Sequence, residues 1–212
     1  MSNINICAQD AYLALYPQSK KPVGVNWPDE GTSQEQALAT NGNLGLLLGP
    51  KSDVMDVDLD CREAKGLAEL ILPKPFAQFD RGTSDSGHYL YKAITCGPTK
   101  RFSGNGPKST LVELRGDGSQ TMIPPSIHPD GSRLNFTDIN QDAPEVEYAD
   151  LLKSVSLLAA CSEVAQLWVS GRRHELALSF SGLCLKQNVN PQLLINISYC
   201  RCRYDCIPSG QN

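Results

Sequence analysis

Short apolar stretches, several of them alternating with polar residues, recur along the chain up to residue 123 and predict a series of β-strands. They cover residues 21–27, 44–48, 54–59, 76–79, 88–94, 110–114 and 120–123. Clusters of glycine, serine and proline separate them, as Gly49-Pro50 does, and such clusters are typical of turns. Because few helices lie between these strands, the pattern predicts an α+β sheet domain and not a regular alternation of strands and helices.

Two helices are predicted among the strands. Residues 32–40 begin with Thr32 and carry Glu35 three positions later, which is the pattern of a capping box. Residues 62–72 place apolar side chains at helical spacing, and the prolines that follow end this second helix.

Beyond residue 140 the pattern becomes helical. An acidic connector over residues 144–150 precedes three predicted helices, at residues 151–169, 172–187 and 191–199. We therefore divide the chain into a first domain, residues 1–143, and a small helical bundle, residues 144–212. No closing helix is predicted after residue 199, so we expect the bundle to be incomplete.

The composition is that of a globular protein, since 41% of the 212 residues are hydrophobic and 20% are charged. No apolar run approaches the roughly 18 residues that span a bilayer, and the first residues lack the basic start and apolar core of a signal peptide. We therefore expect a cytoplasmic protein with no membrane partner.

The eight cysteines do not have the spacing of a disulfide framework. Five lie far apart in ordinary segments and are predicted to be reduced thiols: Cys7, Cys61, Cys96, Cys161 and Cys184. Cys200, Cys202 and Cys206 could supply part of a zinc site, but no fourth cysteine or histidine follows them. Zinc is therefore not expected.

Charge is distributed unevenly along the chain. The formal net charge of −4 argues against a protein that coats nucleic acid by bulk electrostatics. Residues 86–112 nevertheless contain no acidic residue and four basic ones, Lys92, Lys100, Arg101 and Lys108. This segment has two interpretations: a surface that faces phosphate, or a solvated loop whose lysines favour solubility.

Asp56 and Asp58 are the first candidates for chemistry. Residues two apart on a strand point to the same face, so the two carboxylates project together and repel each other. A divalent cation such as Mg²⁺, which binds one or two protein carboxylates and phosphate oxygens, would relieve the repulsion. The alternative is a pair of solvated acids at the end of a surface strand.

Two other ligand-binding motifs are excluded near this strand. An EF-hand loop that begins at Asp56 would need glycine and glutamate where Cys61 and Leu67 stand. A phosphate-binding P-loop is interrupted by Pro50, which has no N–H to offer a phosphate.

Further polar motifs follow along the chain. His88 begins a strand after the small residues of segment 81–88, where it could donate to a phosphate oxygen or serve a structural role. Glu113 and Arg115 share a strand face, so they could bind a metal and a phosphate or form an ordinary salt bridge. The turn at residues 124–131 would hold Ser126 and His128 rigidly near that face.

Taken in order, these motifs resemble the primase-polymerase domain of the archaeo-eukaryotic primase superfamily, of the type found on plasmids, phages and mobile elements. The motifs that carry the resemblance are Lys20-Lys21-Pro22 with Trp27, the glycine-rich strand and turn at 43–50, Asp56 and Asp58, segment 81–88, Glu113 and the Pro-Pro-Ser-x-His turn at 124–131. Residues 167–178 are similar to the opening of the helical bundle that follows this domain in many relatives.

The resemblance implies a primase-like catalytic domain with a mixed β-sheet at residues 1–143, followed by the helical bundle. It implies a DNA-dependent primase/polymerase that transfers a nucleotide from a dNTP or NTP to a 3′-hydroxyl and releases pyrophosphate. Asp56, Asp58 and Glu113 would hold two Mg²⁺ or Mn²⁺ ions. Two alternatives stay open: a non-catalytic nucleic-acid-binding replication module, and a metal-dependent nuclease or phosphohydrolase.

The resemblance also implies roles for the basic and polar residues. The residues implied to bind the nucleotide are Arg81, Ser86 and His88, with Arg115, Ser126 and His128 as further candidates. The residues implied to contact the DNA template or primer are Lys92, Lys100, Arg101, Lys108, Arg172 and Arg173. A helicase domain or protein is a further implied partner.

Overall fold

The fold is taken from a computed structural model that describes residues 6–7, 10–82, 85–105, 110–186 and 192. Over these residues the chain forms ten strands and four helices, which confirms the mixed α+β class. The strands are β1 (Tyr12–Leu15), β2 (Asn43–Leu47), β3 (Val54–Leu59), β4 (Ala77–Asp80), β5 (Gly87–Thr95), β6 (Lys100–Ser103), β7 (Thr110–Arg115), β8 (Gln120–Ile123), β9 (Asn135–Ile139) and β10 (Val146–Glu147). The helices are α1 (Gln34–Leu38), α2 (Arg62–Ile71), α3 (Tyr148–Leu167) and α4 (Arg173–Lys186).

A large sheet forms the centre of the fold, with strand order β6-β7-β3-β5-β4-β9. Neighbouring strands in this order are antiparallel, and β10 pairs with β5 in parallel, so the sheet is mixed. Side chains alternate between the two faces of β3. Met55, Val57 and Leu59 therefore face one side, where they pack with α2 and α3 in the larger hydrophobic core.

A small sheet of order β1-β2-β8 covers the other face of the large sheet. The second core lies between the two sheets, where Leu46 and Ile123 belong to the same apolar cluster as Phe79 and Leu90 of the large sheet. The molecule is thus layered: helices, large sheet, small sheet. Asp56 and Asp58 alternate with the residues that face the helices, so they lie on the face that the small sheet covers.

Residues 21–27 do not form the predicted strand, and this prediction was wrong. The segment makes one isolated bridge, between Leu15 and Pro22, and then bends. Pro22 has no N–H for a ladder, and Gly24 has φ of 94°, a left-handed value that is incompatible with a strand. Val23 and Val25 are consequently exposed.

The first helix is shorter than predicted, and its cap is one residue later. It begins after Ser33, whose side chain accepts from the Gln36 backbone N–H while the Gln36 side chain accepts from the Ser33 N–H. Thr32 cannot serve as the cap because its backbone pairs with Tyr12 in a β-bridge. The capping box is therefore Ser33-Gln36 and not Thr32-Glu35.

The helical tail is described in part. Leu151, Val155 and Leu158 of α3 are buried in the core that α2 and the large sheet share. Apart from residue 192, the third predicted helix lies outside the described residues, so the predicted bundle is not shown and its boundary at residue 143 stays a prediction. None of the helices within the described ranges has the length and apolar character needed to cross a bilayer.

Cys7, Cys61, Cys96 and Cys161 form no disulfide among the described residues, as predicted. The Cys184 side chain and the three C-terminal cysteines lie outside the described residues.

The Pro-Pro-Ser turn is fastened to the start of β2. The buried Asn43 side chain donates to the Ile127 carbonyl at 2.7 Å and accepts from the Ile127 N–H at 2.9 Å. Beside it, the Ser126 hydroxyl accepts from the Leu44 N–H at 2.8 Å. These bonds fix the loop that carries His128 against the small sheet.

We expect Asn43→Ala to lower the free energy of unfolding by about 3 kcal/mol, because it leaves the partly buried N–H and C=O of Ile127 without their partner. Urea denaturation monitored by circular dichroism measures the change. Asn26→Ala, at an exposed position, is the control and should change stability by less than about 0.5 kcal/mol. Equal stability of the two variants would contradict the importance of this fastening.

Candidate active site

Three acidic residues meet on one face of the large sheet. In the β3–β7 pair, Asp58 lies directly opposite Glu113, and Asp56 lies opposite Arg115. Residues directly opposite each other share a face, so Asp56, Asp58 and Glu113 project to the same side. Asp56 is fully buried and Glu113 is 7% exposed. The structure thus brings together the three predicted acids.

Two cationic side chains lie among these carboxylates. Arg115 places Nη1 3.9 Å from Asp56 and 3.8 Å from Asp58, and its Nε is 3.4 Å from Glu113. His88, opposite Asp58 on β5, places Nδ1 2.9 Å from Asp56 Oδ2 and Nε2 3.7 Å from Asp58 Oδ1. The acids are therefore held in a network of alternating charge.

Burial and neighbouring charge oppose each other in this network. Burial raises the pKa of Asp56, but the facing His88 and Arg115 outweigh burial and hold that pKa below its usual value. For Asp58, burial together with the charge of Asp56 prevails, and its pKa is raised. Burial lowers the pKa of His88, yet the two aspartates outweigh burial, so the imidazole holds its proton more firmly than a free histidine.

The donor set suits a hard divalent cation. Carboxylate oxygens are the ligands that Mg²⁺ and Mn²⁺ prefer. In the described part of the chain, however, no three histidine, cysteine or acidic side chains form a group with metal-site geometry. Arg115 lies between the carboxylates instead. The carboxylate oxygens of Asp56, Asp58 and Glu113 therefore have the ligand chemistry that Mg²⁺ and Mn²⁺ prefer.

A second cluster of polar side chains lies nearby. Arg81 donates from Nη2 to the Ser86 hydroxyl at 3.2 Å, its Nη1 is 3.4 Å from His128 Nδ1, and it pairs with Asp130 at 2.5 Å. The Phe79 ring stacks on the His88 imidazole, with centroids 4.6 Å apart, and so helps to fix its orientation. The predicted nucleotide-binding residues of segment 81–88 thus meet the turn that carries His128.

A cavity of about 150 Å³ joins the two clusters. Six predicted site residues line it: Asp58, Arg81, Ser86, His88, Arg115 and His128. Because both carboxylates and phosphate-type donors line it, this cavity is suitable for a metal-bound polyphosphate.

Ser126 is not among the residues that line the cavity. It is 3% exposed, and its hydroxyl both accepts from the Leu44 N–H and donates to the Leu44 carbonyl. The predicted contact with a nucleotide therefore has no support in the geometry, because the hydroxyl is already occupied in fastening the turn.

The predicted DNA-binding residues that the structure describes do not all lie on one face. Arg101 lies opposite Glu113, on the acidic face, and pairs with it at 3.1 Å, so Lys100 projects to the other face. Lys92 lies over the Phe76 ring and donates to the Gln141 carbonyl. Arg172 and Arg173 are exposed where α4 begins, and Lys108 lies outside the described residues.

Four charged residues at or beside the cavity were not predicted to act there: Lys20, Asp60, Asp80 and Asp130. Asp60 continues the two-residue spacing of Asp56 and Asp58, which could have identified it. Burial, and then the charges of Asp58 and Glu113, raise its pKa to about 6. Asp130 stands two residues after His128 and fixes Arg81. Lys20 belongs to the Lys20-Lys21-Pro22 motif that carried the resemblance, but its position at the cavity depends on how its loop folds back.

Comparison with known protein families identifies a match over most of the chain. Residues 8–149 match the family described as "Bifunctional DNA primase/polymerase, N-terminal". No curated protein matches the chain. The matched segment contains the acids on β3 and β7, His88 and the Pro-Pro-Ser turn, which are the motifs that carried the resemblance in sequence. Since it spans more than half of the 212 residues, the chain belongs to the bifunctional DNA primase/polymerase N-terminal domain family.

Proposed function

We propose that this chain transfers a nucleotide from a nucleoside triphosphate to the 3′-hydroxyl of a strand paired to a DNA template, with release of pyrophosphate. Membership of the family implies a nucleotidyltransferase-type enzyme that acts on DNA and nucleotides. The observation that carries the specific reaction is the convergence of Asp56, Asp58 and Glu113 on one sheet face, beside a cavity lined by phosphate-type donors.

Asp56, Asp58 and Glu113 would hold Mg²⁺ or Mn²⁺, whose chemistry is to stabilise the charge on the attacking and leaving oxygens. Asp58 lines the cavity directly, whereas the buried Asp56 and Glu113 lie next to Asp58 on the same sheet face and are not among the lining residues. Arg115 lies 3.4–3.9 Å from all three carboxylates and therefore offsets their mutual repulsion. A zinc site forms no part of this proposal.

The triphosphate would lie toward Arg81, Ser86, His88 and His128. A protonated His88 would donate to a phosphate oxygen, and the facing Asp56 and Asp58 carboxylates favour that protonated form because they raise the pKa of the imidazole against the effect of burial. Arg81 is fixed by Asp130 and Ser86, so little side-chain freedom is lost when it binds a phosphate. Ser126 acts indirectly by fixing the turn that carries His128.

The template and primer would lie over the β6 edge of the large sheet. Arg101 is exposed on the face that carries the acids, so it is the basic residue best placed to contact a DNA phosphate near them. Lys92, Lys100, Arg172 and Arg173 would contribute a weaker, salt-dependent attraction. A helicase partner and an origin on a mobile element stay predictions.

One assay tests the proposed reaction against the alternatives. The protein is incubated with a primed DNA template, labelled nucleotide and Mn²⁺, and the products are separated by length. We expect extension of the primer. Shortening of the primer would instead indicate a nuclease, and binding without any change in length would indicate a non-catalytic module; either result contradicts the proposal.

We expect Asp58→Asn to lower the rate of primer extension by roughly a thousandfold, because the amide removes one negative ligand while it keeps the size of the side chain. Single-turnover extension with Mg²⁺ measures the rate. Asp150→Asn, at an exposed position on α3, is the control and should extend at the normal rate. Normal extension by Asp58→Asn would remove Asp58 from the metal ligands.

We expect His88→Ala to raise the KM for the nucleotide by roughly tenfold, because one charge-assisted donor to the phosphates is lost. Steady-state extension at varied nucleotide concentration measures this. The matched control is His174→Ala on the exposed surface of α4, which should leave KM unchanged. An unchanged KM in His88→Ala would place the triphosphate elsewhere.

A further inference from the structure

Lys20 reaches the cavity from the small-sheet side. It lies in the loop after β1, far in sequence from the acids, yet it lines the same cavity as Asp58, Arg81 and His88. The residue as a whole is exposed. Its ammonium can therefore meet a ligand that enters the cavity from solvent.

The loop that carries Lys20 is fixed at three successive residues. The Gln120 side chain of β8 donates to the Lys20 carbonyl at 2.9 Å, and the Asn43 side chain of β2 donates to the Ser19 carbonyl at 3.1 Å. The Tyr16 N–H donates to the Lys21 carbonyl at 3.0 Å. Since the backbone is held in place, only the rotamers of the Lys20 side chain need to be ordered when a ligand binds.

Lys20 also differs from the other basic residues of the cavity in its ion pairing with carboxylates. Arg81, His88, Arg115 and His128 each lie against a carboxylate. Across the described residues, Lys20 takes part in none of the ion pairs within 4.0 Å. Its positive charge is felt at Asp58, where it is one of the influences that lower that pKa against the larger effect of burial.

We infer that Lys20 binds a phosphate group of the incoming nucleoside triphosphate, from the part of the cavity wall that the small-sheet layer supplies. Lysine binds phosphate as a point charge with three rotatable donors. A cavity of about 150 Å³ accommodates phosphate groups but not a DNA strand, which favours the nucleotide over the template as the source of the phosphate. This inference rests on the proposed function and adds a nucleotide contact from the small sheet.

The test measures nucleotide binding separately from catalysis. Isothermal titration of the full chain with dATP and Mg²⁺, without DNA, gives the Kd for wild type, Lys20→Ala, Lys20→Arg and Lys21→Ala. Lys21 is the matched control because it is an adjacent, exposed lysine that does not line the cavity. We expect Lys20→Ala to weaken dATP binding roughly tenfold, Lys20→Arg to retain most of the affinity, and Lys21→Ala to stay within about twofold of wild type.

Two results would overturn the inference. Equal Kd values for Lys20→Ala and Lys21→Ala would show that the Lys20 charge does not reach the nucleotide. Normal dATP binding by Lys20→Ala, together with weaker binding of a primed DNA duplex in an anisotropy titration, would assign Lys20 to a DNA phosphate. Primer extension by wild type is measured in parallel, so that failure of the proposed reaction is distinguished from failure of the Lys20 contact.

Discussion

The structure of this domain depends on how it buries like charges. Asp56 is fully buried between two sheets, and Asp58 lies two residues away on the same face of the same strand. An ionised carboxylate without a partner in such a place would cost several kcal/mol, and a second one beside it would add repulsion. His88 on one neighbouring strand and Arg115 on the other compensate these charges, because both cations lie within 4.0 Å of Asp56 and of Asp58. The strand order β7-β3-β5 is what makes this compensation possible.

The sequence predicted well those elements whose burial is regular. β3 was predicted with the bounds that it has, and α2 differs by one residue at its end, because each carries a clear apolar period. β6 and β9 were missed, since they lie at the edges of the sheet, bury little, and show no apolar alternation to detect. β1 was missed for a different reason. Three of its four residues are buried, so its apolar residues form one short run that does not alternate with polar residues. Residues 21–27 show the opposite error, where valines at alternate positions suggested a strand that Pro22 and Gly24 prevent.

In the candidate site too, the sequence predicts what depends on a local pattern but not what depends on long-range packing. The pairing of Asp56 with Asp58 is a local property of a strand and could be read from the sequence. That Glu113 lies opposite Asp58 depends on the register between β3 and β7, which no local pattern specifies; the prediction came from resemblance to a family. Ser126 shows the limit of such resemblance. A serine in a conspicuous motif suggested a ligand contact, whereas packing shows that its hydroxyl joins the turn to β2.

The position of the cavity explains why the domain needs two sheets. The acids belong to the large sheet, whereas Lys20, Gln120 and Met122 reach the cavity from the small-sheet layer. The chain passes from one sheet to the other within the few residues between β7 and β8, so Arg115 and Gln120 are close in sequence yet belong to different layers. A single sheet could align the carboxylates but could not enclose what binds to them. The small sheet supplies the second wall, and because Asn43 and Ser126 tie the His128 turn to β2, the packing of that sheet also determines where one of the phosphate-side residues lies.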